Sequence, residues 1–313
     1  MLAYLRRRLL SGLVLLMAVT ALSFLLLYAG SGDVVRRILG GGATQEQIAA
    51  KSAELGLDAP VWTQFATWAS GALHGDLGRS WFTGETVAQG IGSRLPVTLS
   101  LVLGTTLLTV VLSAVLGVWA ATRGGTVDKI VQGASVVGIA LPGFVVALFL
   151  VTVFAVKLKL FAATGYTPLS ESPARWLGSV TLPVIALALG STVSLTQQIR
   201  GAVLDTLRQD WVRTLRTRGL SARRVLFRHV LRNAAGPALT VLSLQTIGLL
   251  GGAVIIEQIF ALPGIGQYAI TATGGGDLPT IMGLVVMTTV MVVVINLLTD
   301  LTQGWLTPKA RQI

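Results

Sequence analysis

DWVRTLRTRGLSARRVLFRHVLRNAAGP, residues 210–237, is the stretch that decides the fold of this chain. It contains seven arginines and one acidic residue, and an apolar run long enough to cross a bilayer lies on each side of it. Positive charge between membrane spans accumulates on the cytoplasmic side. The sequence therefore predicts a polytopic membrane protein whose basic segment faces the cytoplasm.

The overall composition also indicates a membrane protein. Hydrophobic residues make up 53% of the 313 residues, charged residues make up 12%, and the mean hydropathy is +0.75. A soluble domain of this length is more polar. The net charge of +11 would suit a nucleic-acid-binding protein, but here the basic residues lie between apolar runs and indicate topology instead. We expect no nucleic-acid partner.

Apolar windows of about 19 residues predict an all-α protein with six spans. The spans are placed near 9–28, 97–121, 131–157, 180–199, 238–260 and 279–303. Segments on one side of them, including both termini, hold 16 of the 24 lysines and arginines, so both termini are expected in the cytoplasm of a multi-pass cell-membrane protein. The first run is about as long as a full span, so we expect it to be retained rather than cleaved as a signal peptide.

The chain divides into three predicted parts. They are 1–28 (cytoplasmic N-terminus and first span), 29–96 (external helical segment) and 97–313 (spans two to six, with a cytoplasmic loop at 200–237). Within the external segment, Thr44 and Gln47 form a capping-box pattern that opens a helix, which Gly56 can close. Pro60 suits the first turn of a second helix. The tryptophans of that helix suit either a membrane surface or ordinary packing onto the span ends.

The sequence offers few groups for catalysis. Its two histidines, His74 and His229, lie outside the predicted spans, and it has no cysteine. A membrane-embedded Ser-His protease and a His/Cys metal site are therefore excluded. A GxxxxGK[ST] phosphate loop is also missing from the sequence, so the chain does not bind ATP in that manner. We expect no catalytic residue and no metal ligand.

The third predicted span contains Pro142 beside Gly143, which predicts a bend near the middle of the membrane. Bent spans often line a pathway, although proline is also common in membrane helices generally. Candidate pathway residues are those at the bend and the polar side chains within spans: Pro142, Phe144, Gln197, Gln245 and Asn296. For the polar ones, an interhelical hydrogen bond is the alternative. No carboxylate is obvious at mid-membrane, which argues against a carrier that is driven by ions and acts alone.

The basic segment itself reads as a helix–turn–helix. Gly219 suits the left-handed position that ends a helix running through Arg218, and Ser221 is a good N-cap for a short helix over about 222–233. Apolar residues of this second helix form one stripe and arginines cover the other face. From these residues alone, its partner is either anionic lipid or a protein.

In its residues this segment resembles the cytoplasmic coupling loop of ABC-importer permeases, in the branch that imports dipeptides, oligopeptides and nickel. Arg213-Thr214-Leu215 occupies the place of that family's EAA triplet, and Gly219 is its glycine. The resemblance covers nearly the whole chain, with Gln197 departing from an arginine that is frequent in the family. The tracts that match in order include YLRRRLL (4–10), RLPVTLSL (94–101), LPGF (141–144), EQIFALPGIGQ (257–267), DLPT (277–280), NLLTD (296–300) and TPKAR (307–311).

The resemblance implies the first permease subunit of a type I-like ABC importer of peptides, or of nickel or another small solute. It implies as partners a second homologous permease, two cytoplasmic ATPase subunits that bind ATP and Mg²⁺, an external binding protein and membrane lipid. This chain would bind no cofactor itself. The implied ATPase-coupling residues are Asp210, Arg213, Arg216, Gly219, Arg223, Arg224, Val225 and Leu226, and the candidates for docking the binding protein are Trp68, Asp76 and Arg79.

Overall fold

A computed structural model describes residues 2–29 and 32–306, so the TPKAR match at 307–311 lies outside the described residues. Every regular element in the described part is helical. In chain order these are α1 (Leu2–Ala29), α2 (Gly32–Leu39), α3 (Gln45–Glu54), α4 (Val61–Leu73), α5 (Val87–Arg123), α6 (Gly125–Ala140), α7 (Gly143–Leu150), α8 (Pro173–Leu207), α9 (Asp210–Thr217), α10 (Ala222–Val225), α11 (Leu231–Ile259), α12 (Ile265–Gly275) and α13 (Leu278–Leu306). Two π-helical turns, Val151–Lys157 and Leu226–Val230, follow α7 and α10.

The six predicted spans are confirmed as five continuous helical runs and one bent pair. Runs containing α1, α5, α8, α11 and α13 are long and apolar enough to cross a membrane. The sixth span is α6 together with Gly143–Lys157, and these two parts meet at an angle of 92°. Leu141 is extended and Pro142 occupies the N-cap position of α7. Proline lacks the N–H of a helical hydrogen bond and favours an extended residue before it, so it favours a break here. The bend predicted at Pro142 is therefore confirmed.

The described residues form two compact units. One comprises 97–262 and 294–306, and in it α8 packs against α6, α7 and α11. Its apolar core includes Leu101, Leu182 and Phe260. Glycines permit the close approach of α5 to α8, since a Cβ on Gly117 would lie 2.9 Å from the Thr196 carbonyl oxygen. This tight packing makes α8 the central helix of the unit.

The other unit comprises 2–29, 32–96 and 263–293. Its α3 has the predicted capping box, with the Thr44 N–H donating to Gln47 Oε1 at 2.9 Å. Gly56, at φ +70°, closes the turn after α3 as predicted. The sequence did not predict the short helices α2 and α12. It also placed the start of the second span at 97, whereas α5 begins at Val87 and continues through Pro96, as membrane helices can.

A buried carboxylate joins two distant motifs within this second unit. Asp277 is only 5% exposed and accepts three hydrogen bonds, from Ser80 Oγ at 2.5 Å, the Trp81 N–H at 3.1 Å and Thr280 Oγ1 at 2.8 Å. Buried carboxylates are stable only when donors surround them. The DLPT tract (277–280) is therefore bonded to Ser80 and Trp81, which lie just before α5.

We expect Gly117→Ala to destabilise the protein, because the added methyl group meets backbone at 2.9 Å. Overpacking of this kind costs about 1–3 kcal/mol. The matched control is Gly133→Ala on α6, where an added Cβ meets nothing within 4 Å and alanine favours the helix. Thermal unfolding in detergent should show a lower midpoint for Gly117→Ala only. Equal midpoints for the two variants would contradict the packing of α5 on α8.

Candidate functional site: the basic segment between α8 and α11

The turn of the basic segment is built on Gly219. This residue has φ +82°, its N–H donates to the Arg216 carbonyl at 3.0 Å, and the Leu220 N–H donates to the Leu215 carbonyl at 3.3 Å. These two bonds form a Schellman motif, in which a left-handed residue ends the helix. Leu215 and Leu220 belong to the same apolar cluster, which completes the motif. The predicted turn at Gly219 is confirmed.

The helix after the turn differs in part from the prediction. The Ser221 Oγ accepts the Arg224 N–H at 3.4 Å and caps α10, as expected. The chain then winds as a π turn over Leu226–Val230 and enters α11 without a break. A π turn bonds residue i to i+5, here the Leu231 N–H to the Leu226 carbonyl. This winding brings Val225 and Val230, five residues apart, to the same buried side.

The inner face of the segment is apolar and buried. Val212, Val225 and Val230 are at most 1% exposed and form one cluster with Ala121 of α5 and Val203 of α8. Burying three such side chains contributes about 1.5–3 kcal/mol each. The cluster therefore fixes the segment to the ends of α5 and α8.

This burial bears on one predicted contact. Val225 was expected to touch a partner ATPase, but its side chain is 1% exposed and is used inside the chain. Leu226 is only partly buried and still reaches the surface. The most exposed large apolar side chain of residues 210–237 is Phe227, at 62%, followed by Trp211 at 38%, and the sequence singled out neither. Phe227 is two residues from the buried Val225, which places the two side chains on different sides of the helix.

The outer face of the segment is cationic. Six arginines on it are exposed: Arg213, Arg216, Arg218, Arg223, Arg224 and Arg228. A depression of about 480 Å³ lies on this face and is lined by Ser221, Arg223, Arg224, Phe227 and Arg228. The exposed Asp210 and Arg213 are 3.8 Å apart, and such a surface pair contributes little to stability. The face thus suits an acidic partner that also offers an apolar side chain or cavity.

An ion pair connects α8 to α6 a few turns before the basic segment. The Arg200 guanidinium contacts both carboxylate oxygens of Asp128, through Nε and, at 2.6 Å, through Nη2. Gln132 Nε2 donates to the same carboxylate at 3.0 Å. Both charged side chains are about one-fifth exposed. Bidentate pairing of this kind fixes orientation as well as distance, so α6 and α8 are tied at this end.

The five candidate pathway residues all belong to the unit containing α8, and no hydrogen bond among the described residues joins them to one another. Pro142 marks the break, and Phe144 on α7 is exposed. Gln197 on α8 is half-buried. Asn296 Oδ1 accepts from Ser243 Oγ at 3.3 Å, the interhelical bond considered as its alternative role. In contrast, the buried Gln245 Oε1 has no partner among the described residues.

The three candidate docking residues lie in the other unit. Asp76 is exposed, with Oδ1 accepting the Gly78 N–H at 2.9 Å, and Arg79 is also exposed. Trp68 is half-buried, and its ring centroid lies 6.0 Å from that of Phe24. Asp76 and Arg79 therefore present free surface, whereas much of the Trp68 ring is used inside the chain.

One buried acid was not identified as a structural residue from the sequence. Glu257 is 0% exposed, and Thr98 Oγ1 donates to its Oε1 at 2.7 Å. Its backbone carbonyl also accepts the Leu262 N–H at 2.8 Å. Glu257 opens the EQIFALPGIGQ tract, so this tract is anchored to α5 at its first residue. Hydropathy alone places Glu257 at the end of a span and does not show whether its carboxylate is exposed to solvent or buried.

Comparison with known proteins identifies the class. The family model described as "Binding-protein-dependent transport system inner membrane component" matches residues 113–312, and the model of the corresponding N-terminal region matches residues 1–102. The chain belongs to this family of ABC-importer permeases, which are multi-pass inner-membrane proteins that work with ATPase and substrate-binding partners. The family is a transport family rather than a catalytic one, and membership sets aside a carrier that acts alone.

Full-length relatives narrow the comparison. A putative peptide transport system permease protein of Brucella abortus (strain 2308) is 37% identical over 312 residues, 99% of each chain. A probable peptide ABC transporter permease protein of Sinorhizobium fredii is 36% identical over 309 residues, 98% of this chain and 99% of the relative. The oligopeptide transport system permease protein of Bacillus subtilis is 34% identical over 313 residues, 99% of each.

A solved structure supports the fold. The inward-facing MetNI methionine ABC transporter has a chain that aligns with a TM-score of 0.54 and 16% identity, covering 69% of this chain and 96% of that one. At this level of identity the likeness concerns architecture alone. It agrees with the all-α architecture of an ABC-importer permease.

The ion pair between α6 and α8 is tested by charge reversal. Asp128→Arg and Arg200→Asp should each lower stability by about 1–3 kcal/mol, less than for a fully buried pair because both groups retain some solvent. The double reversal restores opposite charges and should recover most of the loss. Thermal unfolding of the purified protein measures all three variants. A double variant no more stable than the weaker single variant would contradict the pairing.

Proposed function

We propose that this chain is one of the two permease subunits of an ATP-driven importer of di- or oligopeptides. Three relatives with 34–37% identity over nearly their full lengths carry peptide-permease names. Import of nickel or another small solute by the same architecture is the alternative, and no metal-ligating cluster is present among residues 2–29 and 32–306 to favour it. Half of the pathway would come from a second, homologous permease.

The proposed assembly has two cytoplasmic ATPase subunits, which bind ATP and Mg²⁺, and an external binding protein. Both termini and the basic segment face the cytoplasm in this proposal. The concentration of 16 of the 24 lysines and arginines on that side supports this orientation. This chain then needs no cofactor of its own, because the energy enters through the ATPase subunits.

The observation that carries the proposal is the division of the basic segment into two faces. Its inner face is buried against α5 and α8, while its outer face leaves the arginines and Phe227 exposed. A partner that binds the outer face can move the segment only together with the helices to which the inner face is attached. This arrangement supports a coupling role, in which ATP-driven closure of the ATPase dimer becomes a rocking of the spans.

We assign the coupling contacts accordingly. Gly219 sets the turn, and the polar contacts come from Asp210, Arg213, Arg216, Arg223 and Arg224. Leu226 contributes at its exposed edge, and Phe227 replaces Val225 as the main apolar contact. The Arg200–Asp128 pair supports transmission of the movement from α8 to α6, whose break at Pro142 leaves it free to move separately from α7.

We further propose that Pro142, Phe144, Gln197, Gln245 and Asn296 border the pathway. The unpartnered Gln245 Oε1 supports this role most directly, since a buried acceptor without a donor is costly unless water or substrate supplies one. On the opposite side, Asp76 and Arg79 with the exposed edge of Trp68 form the proposed docking surface for the binding protein. Their charges suit polar contacts at the rim of an interface.

Gly219→Val should uncouple the transporter. A Cβ at this position meets nothing within 4 Å, so the cost comes from the backbone at φ +82°, where a β-branched residue loses about 1–2 kcal/mol. Gly219→Asn is the matched control, because asparagine tolerates this conformation. In proteoliposomes containing the complete transporter, the valine variant should lose stimulation of ATP hydrolysis by loaded binding protein, and the asparagine variant should retain it.

Uptake in the same proteoliposomes tests the substrate. Accumulation of a labelled dipeptide or oligopeptide by the unmodified complex supports the proposal, whereas accumulation of nickel ions alone would overturn the peptide assignment. Normal stimulation and uptake in a well-expressed Gly219→Val complex would overturn the coupling role.

A further inference from the structure

Helix α4 is attached to the membrane end of α1 by aromatic rings. The Phe24 ring lies 5.2 Å from the Phe65 ring and 6.0 Å from the Trp68 ring, and it stacks on Tyr28 at 4.0 Å. Phe24 itself is fully buried by these contacts. The middle of α4 is therefore held at the level of Phe24.

The position of Phe24 along α1 gives α4 a depth. The apolar run of α1 follows Arg6, Arg7 and Arg8, covers residues 9–28 and ends at Tyr28. At 1.5 Å per residue a run of about 20 residues is about 30 Å long, which matches the hydrocarbon thickness of a bilayer. Phe24 lies four residues, or about 6 Å, before its end. Interfacial helices bury their apolar side about 5–10 Å into the boundary between headgroups and acyl chains, so α4 lies at that boundary.

The exposed surface of α4 has two different sides. Trp62 and Leu73 are 75% and 86% exposed, and because they are 11 residues apart, about three helical turns, they lie along one line with Ala66 beside them. The neighbouring line consists of exposed hydroxyl residues, Thr63, Thr67 and Ser70. Phe65 and Trp68 lie on a third side of the helix, the one that packs against α1. An apolar and a polar stripe side by side are expected for a helix lying between lipid and water.

Charge distribution agrees with this depth. The sequence has no Asp, Glu, Lys or Arg between Asp58 and Asp76, although the segment is outside the spans. Leu22, Leu25 and Leu26 near the end of α1 are all more than half exposed, so α1 itself also presents apolar surface at this level. A protein-docking surface would more often carry charged or hydrogen-bonding groups at its rim.

We propose that Trp62, Ala66 and Leu73 lie in the lipid interface of the leaflet at the C-terminal end of α1, so that α4 is a membrane-surface anchor. The partner is the phospholipid surface itself. Thr63, Thr67 and Ser70 then face water. By packing on α1 and on lipid together, α4 fixes where the connection between the first two spans leaves the membrane, which determines the level at which Asp76 and Arg79 are presented.

The experiment uses the lack of cysteine in the chain. Single variants Trp62→Cys, Ala66→Cys and Leu73→Cys are labelled with an environment-sensitive fluorophore in the reconstituted transporter. The matched controls are Thr63→Cys and Thr67→Cys on the polar stripe. All five sites are exposed, so the substitutions remove few contacts. Vesicles of phosphatidylcholine and phosphatidylglycerol with spin-labelled acyl chains provide a quencher in the lipid, and iodide provides one in water.

The apolar-stripe positions should be quenched several-fold more by the spin-labelled lipid than the threonine positions, and several-fold less by iodide. Equal quenching of both stripes by iodide would overturn the proposal. Protection of positions 62 and 73 from iodide only after addition of loaded binding protein would also overturn it, because the stripe would then be a protein-docking surface. The result does not depend on whether the transporter carries peptides.

Discussion

Burial of three valines beneath the basic segment is the interaction on which the account of this protein depends. Val212, Val225 and Val230 pack with residues at the ends of α5 and α8 and leave almost no surface of their own. Without this contact, the seven arginines of residues 210–237 would lie on a flexible loop. A partner bound to that loop could then move without moving the membrane spans. With it, the segment is a rigid extension of two membrane helices.

Helix α8, at the centre of its unit, connects the basic segment to the helices within the membrane. α8 packs against α6, α7 and α11, and it is joined to α6 by the Arg200–Asp128 pair. The span containing α6 bends by 92° at Pro142, and the helices on both sides of the bend pack against α8. Interlocked packing with a few defined breaks favours discrete rigid-body changes over continuous deformation, as alternating access requires.

The amino-acid sequence predicted features that depend on local chemistry or on long-range hydropathy. The six spans, the bend at Pro142, the turn at Gly219, the capping box at Thr44 and the start of α4 after Pro60 all follow from rules that act over one to twenty residues. Helices α2 and α12 were not predicted, although the left-handed glycines Gly40 and Gly276 follow them. Glycine is also common in turns, so this signal alone does not indicate a helix. The early start of α5 was not predicted, because a helix that extends out of the membrane keeps its backbone hydrogen bonds but no longer has the apolar sequence by which spans are recognised.

Contacts between distant residues could not be read in the same way. The Ser80–Asp277 and Thr98–Glu257 hydrogen bonds join residues far apart in the chain, and the sequence around each residue does not indicate its partner. The expected ATPase contact of Val225 has a different origin, because it came from the resemblance to the family's coupling loop. Helical spacing already grouped the apolar residues of this helix in one stripe, and in the structure Val225 and Val230 share the buried side while Phe227 is exposed.

Crosslinking tests the division of the basic segment most directly. Single cysteines are placed at Phe227 and at Val225 in the otherwise cysteine-free chain, and each is treated with a photoactivatable thiol reagent in the assembled transporter. The account predicts that position 227 crosslinks to an ATPase subunit and that position 225 crosslinks only within its own chain or not at all. An ATPase crosslink from position 225 that is as strong as that from 227, or none from 227, would contradict it.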